Sequence, residues 1–100
     1  MAKVAQLRIY SIEEGKMEDF LTAWRQGAVP LRRRHGFQVL GAWTTEGQDR
    51  FVWIVGYEGG DSFQAADQAY YASPERKQLD PDPAGYIQHA EHHLLEPVAV

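Results

Sequence analysis

The stretch Trp24–Tyr57, WRQGAVPLRRRHGFQVLGAWTTEGQDRFVWIVGY, decides the fold. It reads as the end of an amphipathic helix, a glycine stop at Gly36, and two strands joined by a turn around Glu46–Asp49. Phe37–Thr44 is the first of those strands and Arg50–Tyr57 the second, and the short TTEGQD connection makes them an antiparallel hairpin. In the second strand Phe51, Trp53, Val55 and Tyr57 share one face, and Val52, Ile54 and Gly56 the other.

Upstream, Val4–Ser11 alternates with the period of a strand, Ala5, Leu7 and Ile9 against Gln6, Arg8 and Tyr10. After a turn at Glu13-Glu14-Gly15, residues Met17, Phe20, Leu21, Trp24, Ala28 and Leu31 form one apolar helical stripe. Pro30 inside that stripe removes a helical hydrogen bond and clashes with the preceding turn, which predicts a kink or break near Gly27–Val29. Arg32, Arg33 and Arg34 fall in the last turn, where cations suit the helix dipole, and read as a solvated helix end. Downstream, Asp61-Ser62 offers an N-cap to a second helix carrying Phe63, Ala66, Ala69 and Tyr70, and Ser73-Pro74 ends it. Leu79–Gly85 is loop by composition, and Tyr86–Leu95 returns to strand alternation.

The order is β-α-β-β-α-β over a single domain, residues 1–100, which is the ferredoxin-like α+β arrangement: a four-stranded antiparallel sheet with both helices on one face. If Leu7 and Ile9 face the helices, the other face carries Arg8, Tyr10, Phe51, Trp53, Val55 and Tyr57, too aromatic to leave wet. A second copy packed against that face with two-fold symmetry is the expected cover, so a homodimer is predicted.

Composition narrows the chemistry. Residues 1–58 carry eight Lys/Arg against seven Asp/Glu, and residues 59–100 two against seven. That acidic balance argues against nucleic acid as a partner, since phosphate binding needs a concentrated basic surface. The absence of cysteine excludes disulfides, thiolate catalysis and cysteine metal sites. The opening MAKVAQLRIY lacks the apolar run of a signal peptide, and no segment reaches the roughly 20 apolar residues of a membrane span. A cytoplasmic protein that does not enter membranes is expected. The glycines at 56, 59 and 60 lack phosphate-cradling spacing, no serine sits in a glycine-flanked elbow, and no cofactor is expected.

The residues LRIY, EEGKMEDFLTAW, VPLRRRHGFQVLGAWTTEG, VWIVGYE and the closing LLEPV, taken in that order, resemble the NIPSNAP family of the dimeric α+β barrel superfamily. The resemblance implies a dimeric α+β barrel. The wider superfamily includes cofactor-free monooxygenases, lactone isomerases, cyclases and haem-handling enzymes, with pockets between helices and sheet. No shared catalytic motif carries over.

Candidate chemistry centres on His35, at the helix end beside Gly36, as a general acid or base or else as a cap on helix carbonyls. Trp24, Trp43, Trp53, Tyr10 and Tyr57 are candidate walls and polar handles of an aromatic cavity, or else core and interface packing; on strand alternation Trp43 shares a face with Phe37, Val39 and Gly41. Arg8 is a candidate substrate clamp which, if buried, needs a carboxylate such as Glu91. In the last strand His89, Glu91 and His93 share one face about 7 Å apart, a spacing that suits a transition metal or simply a solvated polar strand. Two functions follow. One is a small cofactor-free enzyme, monooxygenase- or isomerase-like, acting on an apolar carbonyl or aromatic small molecule, with His35 and Tyr57 catalytic and Arg8, Tyr10, Trp24 and Trp43 binding. The other is a non-catalytic binding or interaction homodimer. An enclosed helix–sheet cavity of about 300 Å³ or more would favour the enzyme.

Overall fold

A computed structural model describes residues 4–100. Strand β1 (Val4–Ile12) leads to helix α1 (Met17–Ala23), a π-helical turn (Trp24–Ala28) and helix α2 (Val29–Arg34). The hairpin β2 (Phe37–Thr44) and β3 (Arg50–Tyr57) follows, then α3 (Phe63–Ala72), the short α4 (Pro74–Lys77), a 3₁₀ turn (Pro83–Tyr86) and β4 (Ile87–Leu95). The four strands form one antiparallel sheet in the order β2-β3-β1-β4, as the β-α-β-β-α-β reading requires.

The expected break at Pro30 takes a specific form. Pro30 cannot donate to a carbonyl four residues back, and the chain widens by one residue instead of stopping. Val29 N–H then bonds the Trp24 carbonyl, so α1 and α2 run on as one rod through the π turn. Glu18 and Asp19 sit in the first turn of α1, where negative charge is favoured, and the three arginines close α2. Gly36 ends the rod with φ +87°, a left-handed conformation that a side chain would strain. Ser62 caps α3 by accepting from Ala65 N–H, as expected for that position.

The core fills the space between helices and sheet: Phe20, Leu21, Trp24 and Leu31 from the rod, Phe63, Ala66 and Tyr70 from α3, and Tyr10, Phe37, Phe51, Trp53, Val55 and Tyr57 from the sheet. Phe20, Phe51 and Trp24 meet edge-on at 4.8–5.0 Å between ring centroids. Burying each such ring contributes roughly 2–3 kcal/mol, and their edge-to-face contacts add about 1 kcal/mol.

This reverses the face expected from sequence. The aromatic face of the sheet, with Arg8, meets the helices, while Leu7, Ile9, Val52 and Ile54 lie half-buried on the face without helices. The physical reason is volume: a rod and a second helix standing off a sheet leave a deep layer that aromatic rings fill and aliphatic ones do not. Trp43 is corrected too. The pairing steps from Val39↔Val55 to Gly41↔Ile54, so Leu40 is a bulged extra residue and every later side chain of β2 changes face. Trp43 therefore leaves the side of Phe37 and Val39 and lies 55 % exposed on the open face. Its indole lies along Gly41, where an added Cβ would come within 2.5 Å of the ring.

Candidate functional site

Two residues of the arginine run keep to water, and one does not. Arg33 and Arg34 are not buried, but Arg32, four residues beyond Ala28 on the apolar stripe, is 1 % exposed. Arg8, beside Tyr10 on the helix-facing side of β1, is 0 % exposed. Two buried guanidiniums need counter-charge, and α3 supplies it. Asp67 lies four residues after Phe63 and three before Tyr70, on the inward face of that helix. One carboxylate oxygen, Asp67 Oδ1, accepts from Arg32 Nη1 at 2.6 Å and from Arg8 Nη2 at 2.9 Å. The Tyr71 hydroxyl accepts from Arg8 Nη1 at 3.0 Å and Arg32 Nη2 at 3.2 Å. Arg8 Nε bonds Gln6 Oε1 at 2.7 Å. Asp67, not Glu91, is thus the partner of Arg8, because Glu91 pairs with Ile9 and lies on the open face.

Above this clamp the Arg32 guanidinium stacks on Tyr70, its central carbon 3.9 Å from the ring centroid, and on Phe37 at 4.6 Å. Arg76 reaches the same Tyr70–Tyr71 pair from α4. Its placement is local: Ser73 Oγ accepts from Arg76 N–H and donates to the Tyr70 carbonyl, which turns the chain from α3 into α4. Arg76 Nη2 also pairs with Asp82 at 3.1 Å, and Asp82 caps the 3₁₀ turn through Ala84 N–H.

Between these groups lies a cavity of about 40 Å³, lined on its polar side by Tyr10, Arg32, Tyr70, Tyr71, Arg76 and the two indoles Trp24 and Trp53. Ala28, Pro83, Ala84 and Ile87 complete it. Among the described residues, the buried atoms Trp24 Nε1, Tyr70 Oη and Arg76 Nε make no hydrogen bond, and Trp53 Nε1 has only the Tyr10 hydroxyl to turn to. All four belong to this lining. A buried donor without a partner costs about 1–3 kcal/mol, so three around one small space mark a place built for an occupant. Burial holds Tyr10 and Tyr70 above the usual tyrosine pKa, with Arg8 opposing at Tyr10 and Arg32 at Tyr70, so both hydroxyls are protonated at neutral pH. Burial alone would lower Arg8 and Arg76. The tyrosines and Asp67 outweigh it at Arg8, and Asp82 and the tyrosines at Arg76, so both lie above the ordinary arginine value. Both remain cations.

The residues expected from sequence divide. Tyr10, Trp24 and Trp53 line the cavity and Arg8 holds the clamp beside it. His35 caps α2 and meets Tyr70 edge-on at 5.5 Å without joining the lining. Tyr57 packs on Phe37 and Phe63, outside the lining. Trp43 is on the open face, as are His89, Glu91 and His93 by their register with β1. His93 Nε2 lies 3.4 Å from Glu91 Oε1, and no group of three His, Asp or Glu side chains among the described residues is arranged to hold a metal ion. No helix among the described residues is long and apolar enough to cross a membrane. Sequence reasoning missed Arg32, Asp67, Tyr70, Tyr71 and Arg76. For Arg32 and Asp67 a signal existed, a charge sitting on each helix's apolar stripe.

The cavity is also far smaller than the volume that would admit a whole aromatic substrate. A separate open groove of about 440 Å³ runs outside Asp67, bordered by Gln6, Phe63, Gln64, His92 and Leu94.

Comparison with known proteins agrees with this architecture. The profile of the NIPSNAP family matches residues 5–100. A NIPSNAP domain protein from Burkholderia xenovorans is 22 % identical, with a TM-score of 0.80 covering 96 % of this chain and 95 % of its own. A NIPSNAP family protein from Agrobacterium tumefaciens is 20 % identical, with a TM-score of 0.81 and coverage of 95 % and 92 %. A putative antibiotic biosynthesis monooxygenase from Nitrosomonas europaea is 14 % identical, with a TM-score of 0.70 and coverage of 98 % and 93 %. Likeness at these identities concerns the fold alone. No functionally curated protein matches the sequence.

Proposed function

Given that the chain belongs to the NIPSNAP family, we propose that it is a homodimer whose helix–sheet cavity binds the oxygen-bearing end of a small carbonyl compound. The observation that carries this reading is the presence of three unpartnered buried donors, on Trp24, Tyr70 and Arg76, among the residues lining one cavity. Donors fixed in a water-poor site are what a carbonyl needs to become polarised and to hold the negative charge of an enolate. Enolate formation is the step that cofactor-free oxygenation and isomerisation share. The fold likeness to a putative antibiotic biosynthesis monooxygenase is consistent with chemistry of that kind. The size of the cavity restricts the substrate to one whose polar end enters while the rest stays at the mouth.

The non-catalytic version of the same site is favoured by one observation. The lining contains no carboxylate and no imidazole, so none of its ordinary groups would accept a proton from carbon. Proton exchange separates the two. The protein is incubated in deuterated buffer with short ketones, and loss of α-proton NMR signal is followed alongside binding. Exchange that Tyr70→Phe abolishes supports the enzyme; binding without exchange supports the binder; neither binding nor exchange removes the carbonyl reading. A His35→Ala variant should keep its melting temperature yet lose turnover if His35 serves the site, and unchanged behaviour strikes His35 out.

The homodimer rests on the open sheet face, where Leu7, Ile9, Val52, Ile54 and Trp43 form an apolar surface without helical cover. Sedimentation equilibrium should return twice the 11.4 kDa chain mass. A concentration-independent monomer would refute it.

A further inference from the structure

We infer that the preferred occupant of the helix–sheet cavity is a small monocarboxylate, held by its two oxygens. The inference rests on the reading of this cavity as a ligand site and specifies the ligand's charge and size.

Charge comes first. The bonded cluster around the cavity contains three cations, Arg8, Arg32 and Arg76, and two carboxylates, Asp67 and Asp82. One positive charge is left over. His92, the imidazole nearest the clamp, adds none at neutral pH, since burial and then Arg8 hold it below the usual histidine value. Uncompensated charge against apolar walls is costly, and a monoanion inside the cavity removes that cost.

Hydrogen bonding gives the same sign. The indoles and guanidiniums donate and cannot accept. Tyr71 Oη already accepts from Arg8 and Arg32, so its lone pairs are engaged and only its proton is free. Tyr70 Oη is unpartnered and protonated. The three unpartnered atoms Trp24 Nε1, Tyr70 Oη and Arg76 Nε fit within the roughly four acceptor positions of a carboxylate, whereas a ketone oxygen offers about two. A neutral carbonyl would leave donors bare and the extra charge unbalanced.

Size sets the limit. A buried water needs about 10–15 Å³ of such space, so 40 Å³ holds roughly three such units, the scale of formate or acetate. Ala28 and Ile87 supply apolar wall for the carbon end.

The test uses the full chain at neutral pH and fixed ionic strength. Trp24 and Trp53 border the cavity, so tryptophan fluorescence and melting temperature both report occupancy. Sodium acetate is titrated against sodium chloride, and acetamide serves as the neutral isostere. Acetate should give a saturable change that chloride and acetamide do not. Tyr70→Phe, which keeps the ring and its packing, should weaken acetate binding about tenfold, the scale of one charge-assisted hydrogen bond. Arg76→Gln should weaken it further. An acetamide effect equal to that of acetate overturns the anion while leaving the carbonyl site standing. No response to either compound overturns both. An acetate response unchanged in Tyr70→Phe places the anion elsewhere and refutes the inference.

Discussion

The two faces of this sheet are almost equally apolar in sequence and play opposite parts. The covered face carries Arg8, Tyr10, Phe51, Trp53 and Val55, so the side that is most buried also holds a full charge. The open face carries Leu7, Ile9, Val52, Ile54 and Trp43, with Arg50 at one end of β3 and Glu91 on the β4 edge. The difference teaches that charge is not a guide to exposure when the opposite helix brings the counter-charge. Asp67 on α3 is what lets Arg8 and Arg32 sit inside.

That contrast can be broken most severely at Asp67. Asp67→Asn leaves two buried guanidiniums without a carboxylate and should cost about 3 kcal/mol in urea denaturation, with loss of fold at elevated temperature. A change under about 0.5 kcal/mol would show that water already neutralises the clamp.

Alkali tests the covered face next. Tyr10 and Tyr70 lie above 10.0, the value they take when unfolded, because burial favours the neutral phenol. The unfolded chain therefore releases protons first, and stability is full below pH 10 and falls as pH rises beyond it. The urea midpoint should drop steeply there, and less steeply in Tyr70→Phe. A flat profile above pH 10 would contradict the burial of both hydroxyls.

The open face predicts the reverse pattern. Trp43→Glu should change the stability of the isolated subunit by about 0.5 kcal/mol or less, as for an exposed site, yet halve the mass seen by sedimentation. A dimer that persists would move the interface off this face.

The smallest effect belongs to the β4 edge of the covered face, at His92. Its pKa is lowered by burial first, then by Arg8, Arg32 and His93, with Asp67 opposing. The unfolded chain binds the proton more readily, so the contribution is present above pH 6.5 and lost as pH falls below it. His92→Asn should flatten the stability profile slightly below pH 6.5. An identical slope in the variant would assign it to other groups.

Much of this was legible one element at a time. The Gly36 stop, the Ser62 cap and the hairpin turn follow from local backbone chemistry, and Pro30 announced the disturbance near Gly27–Val29 though not its form as a π turn. Half of the clamp was legible as well. Arg32 falls four residues after Ala28, and Asp67 four after Phe63, so opposite charges sat on the two apolar stripes. Reading Arg32–Arg34 as one block hid this, since the three side chains point about 100° apart around a helix. Arg76 was not legible. Its position depends on the Ser73 cap and on Asp82 across a loop, which no periodicity records.

The sequence by itself determined the order of elements, the helix ends and which side chains alternate together, because those depend on φ, ψ and neighbours a few residues away. The tertiary structure alone decided which sheet face meets the helices, where Trp43 points after the Leu40 bulge, and that Arg8, Arg32 and Asp67 share one buried site. The reason is symmetry: a period of two distinguishes two faces without saying which is inside, and a single bulged residue exchanges them. Only the volume between the packed layers, and the charge the opposing helix presents, break that symmetry.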